Sequence, residues 1–217
     1  MKKTLYMMRH GQTLFNELKR MQGWSDSPLT DLGIRQAKGA RQYFLDNGIV
    51  FDHAYCSTSE RAIDTLEIVT DYSMPYKRMK DLKEMNFGKF EGQSETLQPP
   101  RDVFENFFLD FGGESRQNVR DRLYKANLKI MEEDNNTVLV VSHAGACGHF
   151  FSVIESVERL QEEVKIGIHF LISKYKHYLT RLYNPSTLIK RALFFHSRPQ
   201  FHLSRRINIK ESFLLWS

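Results

Sequence analysis

The chain has 217 residues, 41% hydrophobic and 26% charged, with a formal net charge of +5 and two cysteines. That length suits one domain with a core able to stand alone, and the balance of apolar and charged residues excludes a fibrous or disordered chain. No apolar run approaches a membrane span, Cys56 and Cys147 form neither a disulfide framework nor a metal-ligand spacing, and the apolar stretch after Met1-Lys2-Lys3 is too short for a signal peptide, so a reducing cytoplasm is the expected setting.

Residues 5–8 read as a buried strand. Thr30 then suits the N-cap of a helix in which Leu32, Ala37, Ala40, Phe44 and Leu45 recur at helical spacing, with Gly48 as its stop. A second strand is expected over residues 51–56. Ser59 or a neighbour opens a helix with Ala62, Ile63, Leu66, Ile68 and Val69 as apolar positions. Residues 72–78 read as a turn with a short strand, and residues 81–100, broken by Gly88, Gly92, Pro99 and Pro100, as loop. A short phenylalanine-rich helix is expected over 103–111, and Ser115 caps a longer amphipathic helix reaching about residue 133. The run 137–141 is the most strand-like in the chain, and a helix follows from about Gly145. Residues 168–175 suit a strand that 178–183 can pair with, and Leu182-Tyr183-Asn184-Pro185 reads as the end of a domain. Strands alternating with helices imply an α/β fold, a three-layer sandwich with a mostly parallel central sheet and helices on both faces.

Two of these strands end alike. The first runs into Arg9-His10-Gly11 and the run 137–141 into Ser142-His143-Ala144-Gly145. In open α/β sheets ligands bind beyond the carboxyl ends of the strands, so adjacency of these two would bring both histidines to one crevice. Gly11 lets the backbone turn there and approach a ligand closely. Arginine, always charged and presenting a planar fork of donors, suits an anion such as phosphate. Arg9 and Arg61 are the candidates, Arg61 because it follows the strand at 51–56 and shares that edge of the sheet. Taken alone, a histidine after a core strand is as often structural as catalytic, and Arg61 would equally serve an exposed ion pair at a helix start.

Arg9-His10-Gly11-Gln12-Thr13 with Asn16, and Ser142-His143-Ala144-Gly145, resemble the two signature stretches of the histidine phosphatase superfamily, also called phosphoglycerate-mutase-like. Gly23-Trp24-Ser25-Asp26-Ser27-Pro28-Leu29-Thr30 resembles its substrate loop, and Ser57-Thr58-Ser59-Glu60-Arg61-Ala62 with Thr65 its second arginine motif. Leu82-Lys83-Glu84-Met85-Asn86-Phe87-Gly88 with Glu91-Gly92 resembles its acidic loop, and Gly112-Gly113-Glu114-Ser115 a family helix start. The blocks follow the family order over about the first three quarters of the chain. The resemblance implies a metal-independent enzyme without a cofactor, in which a neutral His10 attacks phosphorus and becomes phosphohistidine. It implies that Arg9, Arg61 and His143 hold the phosphoryl group, His143 as a cation, with neutral contacts from Asn16, Gln22, Gly23 and Ala144. Glu84 would protonate the leaving oxygen and then act as base for water, which needs a raised pKa. Glu91 and Glu95 are nearby alternatives for that part.

Mutases of the family carry a basic, aromatic insertion after the acidic loop; here residues 93–111 are short, acidic and rich in phenylalanine. The expected function is therefore hydrolysis of a small phosphomonoester, with a 2,3-bisphosphoglycerate-dependent phosphoglycerate mutase and a non-catalytic phosphate-binding module as the alternatives. Phe104, Phe107, Phe108 and Phe111 either pack this segment onto the core or leave an apolar rim for substrate.

The charge excess sits wholly in residues 186–217, which hold six basic residues and one acid, Glu211. Basic residues among aromatics also occur on nucleic-acid and membrane surfaces, but no binding module is recognisable. The expectation is a histidine phosphatase domain over 1–185 and a basic extension outside the chemistry, with a small phosphorylated metabolite as partner, no nucleic acid and no membrane. The other use of that segment is that Leu188, Leu193, Phe194, Phe195 and Phe201 cover an apolar patch or form a subunit contact, giving a homodimer. Ending the chain after Pro185 is expected to leave kinetic constants and melting temperature nearly unchanged. Thermal melts, sizing and kinetics on the shortened protein check this, and a large fall in any of them would make residues 186–217 part of the working protein.

Overall fold

The computed structural model describes residues 4–133, 136–160 and 167–171. In chain order the elements are β1 (Thr4–Arg9), a single turn α1 (Leu14–Glu17), α2 (Asp31–Asp46), β2 (His53–Ser57), α3 (Glu60–Val69), β3 (Lys77–Met79), α4 (Arg116–Glu132), β4 (Thr137–Ser142), α5 (Ala144–Leu160) and β5 (Gly167–Leu171). The strands form one sheet in the order β3-β2-β4-β1-β5, with every neighbouring pair parallel.

Alternation of side chains along each strand divides the core in two. Leu5 and Met7 of β1, Tyr55 of β2, and Val138 and Val140 of β4 face α4 and α5, packing on Val119, Leu123, Ile130 and Phe150. Met8, Ala54, Cys56, Leu139 and Val141 face the other way, against Ala37, Ala40 and Phe44 of α2 and Ala62, Leu66 and Val69 of α3. Residues of β4 from Val138 to Val141 are all fully buried, as a central strand covered on both faces must be. Each such side chain contributes roughly 1.5–3 kcal/mol relative to exposure. The sheet is thus sandwiched between two helical layers, the three-layer arrangement the alternation of elements implies.

Local signals set several boundaries. The Thr30 side chain accepts from the Gly33 amide and the Ser115 side chain from that of Asn118, capping α2 and α4. Gly48, at φ +62°, turns the chain out of α2. β2 starts at His53 rather than at residue 51, because Phe51 leaves the strand line to pack edge-on against Tyr6 and Phe44. The helix expected over 103–111 is only a 3-10 stretch, Phe107–Phe111, preceded by turns. Its rings pack on one another and on Phe87 and Phe90, and this clustering holds the segment without helical periodicity. The strand expected over 168–175 is described as far as Leu171; the pairing strand at 178–183, the boundary at Pro185 and the extension 186–217 lie outside the described residues.

One close approach matters for the site. The loop after β1 crosses the start of α2 so tightly that a Cβ on Gly33 would collide with the backbone oxygen of Gln12, and one on Gly11 with the backbone of Gly33. Gly→Ala inside a helix ordinarily stabilises by roughly 0.5–1 kcal/mol. Here the sign should reverse: Gly33→Ala is expected to lower the melting temperature, since backbone, not a flexible side chain, must give way. A melting temperature equal to or above that of the parent would show that the loop at 11–13 yields without cost.

Candidate functional site

The parallel register sets Arg9 opposite Ser142, so the residues that follow, His10 and His143, leave neighbouring strands at the same edge. The His10 amide donates to the Ser142 carbonyl at 3.0 Å, extending the ladder one residue further. The two imidazole rings lie 5.2 Å apart. β2 flanks β4 on the other side and ends in Ser57, and α3 begins just beyond it, carrying Arg61.

Arg61 is fully buried, and all five of its N–H donors are engaged. Nε donates to His10 Nε2 (3.2 Å), one terminal nitrogen to the Ser25 carbonyl (2.9 Å) and Asp26 Oδ1 (2.8 Å), the other to the Gly23 carbonyl (2.8 Å) and His143 Nδ1 (3.0 Å). These contacts settle both tautomers. His10 Nδ1 donates to the Gly11 carbonyl at 2.7 Å, so its proton is there and the lone pair is on Nε2. His143 accepts on Nδ1, so its proton is on Nε2 and goes to Ser57 Oγ at 2.7 Å. Burial, then the charge of Arg61, hold the pKa of each histidine well below the usual value. His10 is accordingly neutral. His143 is neutral too, not the cation expected, because a guanidinium N–H occupies the nitrogen that would take the second proton.

Glu84 comes from the loop after β3 and ends at the start of α5. Its two carboxylate oxygens accept from the Met85 amide (2.9 Å) and the Gly145 amide (2.8 Å). Burial raises its pKa and outweighs these bonds and the charges of Arg61 and Arg9, which act in the opposite direction. Gly145 is needed for the approach: a Cβ there would stand 2.6 Å from a Glu84 oxygen.

A cavity of about 580 Å³ opens against this edge, lined by Arg9, His10, Asn16, Gln22, Glu84 and Ala144 among others. Arg9 contrasts with Arg61. Its Nε is buried and has no hydrogen-bond acceptor among the described residues. Asn16 closes a capping box with Thr13, and Gln22 is bound at both ends, to Thr13 Oγ1 and Ser27 Oγ. Gly23 is turned away from the cavity, its amide on Glu91 and its carbonyl on Arg61. Of the alternative acids, Glu91 accepts from the amides of Gly23, Trp24, Ser25 and Phe87 and the Ser25 hydroxyl, which makes it the anchor of the loop at 23–25. Glu95 stands in the cavity wall.

Sequence reasoning missed four basic lining residues: Arg20, and Arg116, Arg120 and His149 from α4 and α5. Arg116 and Arg120 are one helical turn apart just after the Ser115 cap, a spacing visible in the sequence. Nothing local marks Arg20. The phenylalanine segment does both things expected of it: Phe108 is buried in the core and Phe104 lines the cavity. Among the described residues no group of three or more His, Cys, Asp or Glu is arranged to hold a metal ion, and no helix is long and apolar enough to cross a membrane.

Residues 5–162 match the family model of the histidine phosphatase superfamily (branch 1). The chain is 32% identical over 145 residues to the uncharacterized phosphatase PhoE of Bacillus subtilis (strain 168), covering 64% of this chain and 71% of that one. It is 34% identical over 102 residues to the 2,3-bisphosphoglycerate-dependent phosphoglycerate mutase of Parabacteroides distasonis, covering 44% of this chain and only 41% of the mutase. Among solved structures, Bacillus stearothermophilus YhfR superposes with a TM-score of 0.64 at 31% identity, over 71% of this chain and 80% of that one.

The histidine environments predict a pH response. A folded-state pKa below the unfolded value of 6.5 means that the unfolded chain takes up protons the folded one refuses. The stability due to His10 and His143 is therefore complete above about pH 6.5 and lost as pH falls toward their folded values. His149, which burial and the neighbouring Arg116 and Arg120 push to about 4, acts in the same sense. The melting temperature should fall between about pH 7 and pH 5, with no titration of the His10 and His143 ring signals in NMR spectra across that window. A flat melting curve with both rings titrating normally would refute the assigned tautomers.

Proposed function

The chain belongs to the histidine phosphatase superfamily, and on that premise we propose that it is a metal-independent phosphatase that hydrolyses a small phosphomonoester through a phosphohistidine on His10. The observation that carries the reading is the pairing of a neutral His10, its lone pair on Nε2, with Arg9, whose buried Nε has no hydrogen-bond acceptor among the described residues, in one cavity. Arg9 draws the phosphate dianion in and offsets its charge, so that an uncharged nitrogen can reach phosphorus.

Nε2 attacks phosphorus as the bond to the ester oxygen breaks, and the leaving alkoxide takes the proton of Glu84. The raised pKa of Glu84 keeps that proton available. The lone pair that had accepted from Arg61 is now in the N–P bond, so the Arg61 Nε–H turns to a phosphoryl oxygen. His143, neutral and held by Ser57, supports Arg61 from behind. Water then attacks phosphorus, its proton passes to the Glu84 carboxylate, and inorganic phosphate leaves with His10 restored. Asn16, Gln22 and Ala144 shape the rim around the phosphoryl group.

A mutase reading has one observation behind it: Arg20, Arg116 and Arg120 supply from other elements the positive charge that segment 93–111 lacks. Incubation with 3-phosphoglycerate, primed with 2,3-bisphosphoglycerate, separates the two. A phosphatase releases inorganic phosphate, whereas a mutase returns the isomeric monophosphate.

His10→Ala should abolish turnover with the fold intact, and acid quenching of the parent should trap an acid-labile phosphoprotein absent from the variant. Glu84→Gln should slow alkyl phosphates at least about a hundredfold yet nitrophenyl phosphate far less, because nitrophenolate leaves without a proton. Gly145→Ala, which displaces the Glu84 carboxylate, should reproduce that pattern in weaker form. Equal losses on both ester types would remove Glu84 from the proton-transfer role.

A further inference from the structure

Thr65 belongs to the second arginine motif, and no step of the chemistry uses it. Its side chain is nonetheless fully buried in α3 and fills both of its hydrogen-bonding roles toward the site. Oγ1 accepts from the Gly11 amide at 3.0 Å, and since an amide only donates, the hydroxyl proton goes the other way, to the Arg61 carbonyl at 2.7 Å. Gly11 is the residue whose own carbonyl takes the Nδ1 proton of His10 at 2.7 Å. With the 3.2 Å bond from Arg61 Nε to His10 Nε2, these contacts close a ring. It runs from the Arg61 side chain to His10, from His10 to Gly11, from Gly11 to Thr65, and from Thr65 back to the Arg61 backbone. All four residues are buried, so water is a poor substitute for a missing member.

One event in the proposed reaction opens this ring. When Nε2 bonds to phosphorus its lone pair is spent, and the bond from Arg61 to it is lost. From then on the aim of the imidazole depends on Nδ1 alone. The imidazole also becomes a cation, because Nδ1 keeps its proton, and the Gly11 carbonyl meets that charge. A hydrogen bond from a charged donor is stronger than one from a neutral donor, so this contact gains strength as the reaction advances. The carbonyl must therefore stay in place. The crossing over Gly33 limits where Gly11 sits, but the tilt of its peptide groups is set by their hydrogen bonds. Thr65 holds the Gly11 amide, and Gln36 of α2 accepts from the next amide, that of Gln12, at 2.8 Å. Gln36 is half-buried, whereas Thr65 is sealed from solvent.

We propose that Thr65 is a positioning residue for the nucleophile: by holding Gly11 it keeps the His10 proton on Nδ1 and the Nε2 lone pair aimed into the cavity. The inference deepens the phosphatase reading, on which its kinetic test rests; its spectroscopic test does not. Thr65 touches no reacting atom and acts through Gly11.

Thr65→Val keeps the shape of the side chain and removes the hydroxyl, whereas Thr65→Ser keeps the hydroxyl. In the valine variant kcat should fall at least about tenfold with KM within about threefold, the mark of an interaction made in the transition state. The loss should be equal on alkyl and nitrophenyl phosphates, because attack rather than leaving-group protonation is impaired, and this separates it from the Glu84→Gln pattern. Thr65→Ser should return kcat to within about threefold of the parent. An unchanged kcat, a loss through KM alone, a loss confined to alkyl esters, or a serine variant as slow as the valine one overturns the proposal. NMR spectra of protein labelled at the ring nitrogens read the cause directly. The parent should show His10 protonated on Nδ1 and bare on Nε2, Thr65→Val an exchange between the two tautomers, and Thr65→Ser the parent signal. A His10 tautomer unchanged in Thr65→Val overturns the proposal whatever the rates. If the parent turns over no ester, the phosphatase reading fails alone, and a tautomer shift that depends on the hydroxyl still upholds the role of Thr65. Should the valine variant not fold, Thr65→Ala takes its place under the same criteria. A parent with His10 protonated on Nε2 also overturns the proposal, and that measurement needs no variant.

Discussion

A fully buried guanidinium with every donor used is the constraint on which this site depends. Arg61 joins four separate pieces of chain: His10 after β1, His143 after β4, the loop at 23–25, and α3 itself. A charge so placed is tolerable only with a counter-ion and saturated hydrogen bonds, and removing the partner of such a pair typically costs about 3–5 kcal/mol. Asp26, one-quarter exposed at the loop, is the counter-ion. Burial first, and then the charge of Arg61, lower the pKa of both histidines. One side chain thus sets the geometry and adds to the control of protonation.

The loop that completes the Arg61 shell is held from the opposite side. Glu91 gathers three successive amides, those of Gly23, Trp24 and Ser25, and the Phe87 amide of its own segment. That fastens the loop at 23–25 to the acidic segment carrying Glu84, whose backbone carbonyl receives both the Trp24 indole and Arg122. Arg122 in turn is ion-paired with Glu114 and reaches the Lys83 carbonyl. The acid, the histidines and the guanidinium are therefore placed by one connected polar network laid over the edge of a rigid sheet, the kind of support that precise positioning requires.

The cavity has two electrostatic ends. At the sheet edge, arginine, neutral histidine and a carboxyl with a raised pKa form a balanced set suited to proton and phosphoryl transfer. Toward α4 the charge is left unbalanced at Arg116, beside aromatic wall. The first end belongs to the chemistry common to the family. The second is built from residues of this chain outside the shared motifs.

The strand–helix alternation, the caps at Thr30 and Ser115, and the two strands ending in histidine were legible because they rest on local periodicity and hydrogen bonding within a few residues. The gathering of Arg9, His10, Arg61, Glu84 and His143 was legible through motif order, since each follows an element whose end the pattern marks. Three matters were not. The protonation of His143 turned on which nitrogen Arg61 reaches across 82 positions of sequence. Glu91 stood as a nearby alternative to Glu84 until its oxygens were seen filled by amides of the loop at 23–25 and of Phe87. Arg116 lay in a stretch that reads as an ordinary charged helix, and only the packing of α4 against the phenylalanine segment and α5 brought it into the cavity with its donor unmet. Periodicity decides which face of an element is apolar; which polar groups meet across the fold, and which are left without a partner, depends on long-range packing that no local pattern encodes.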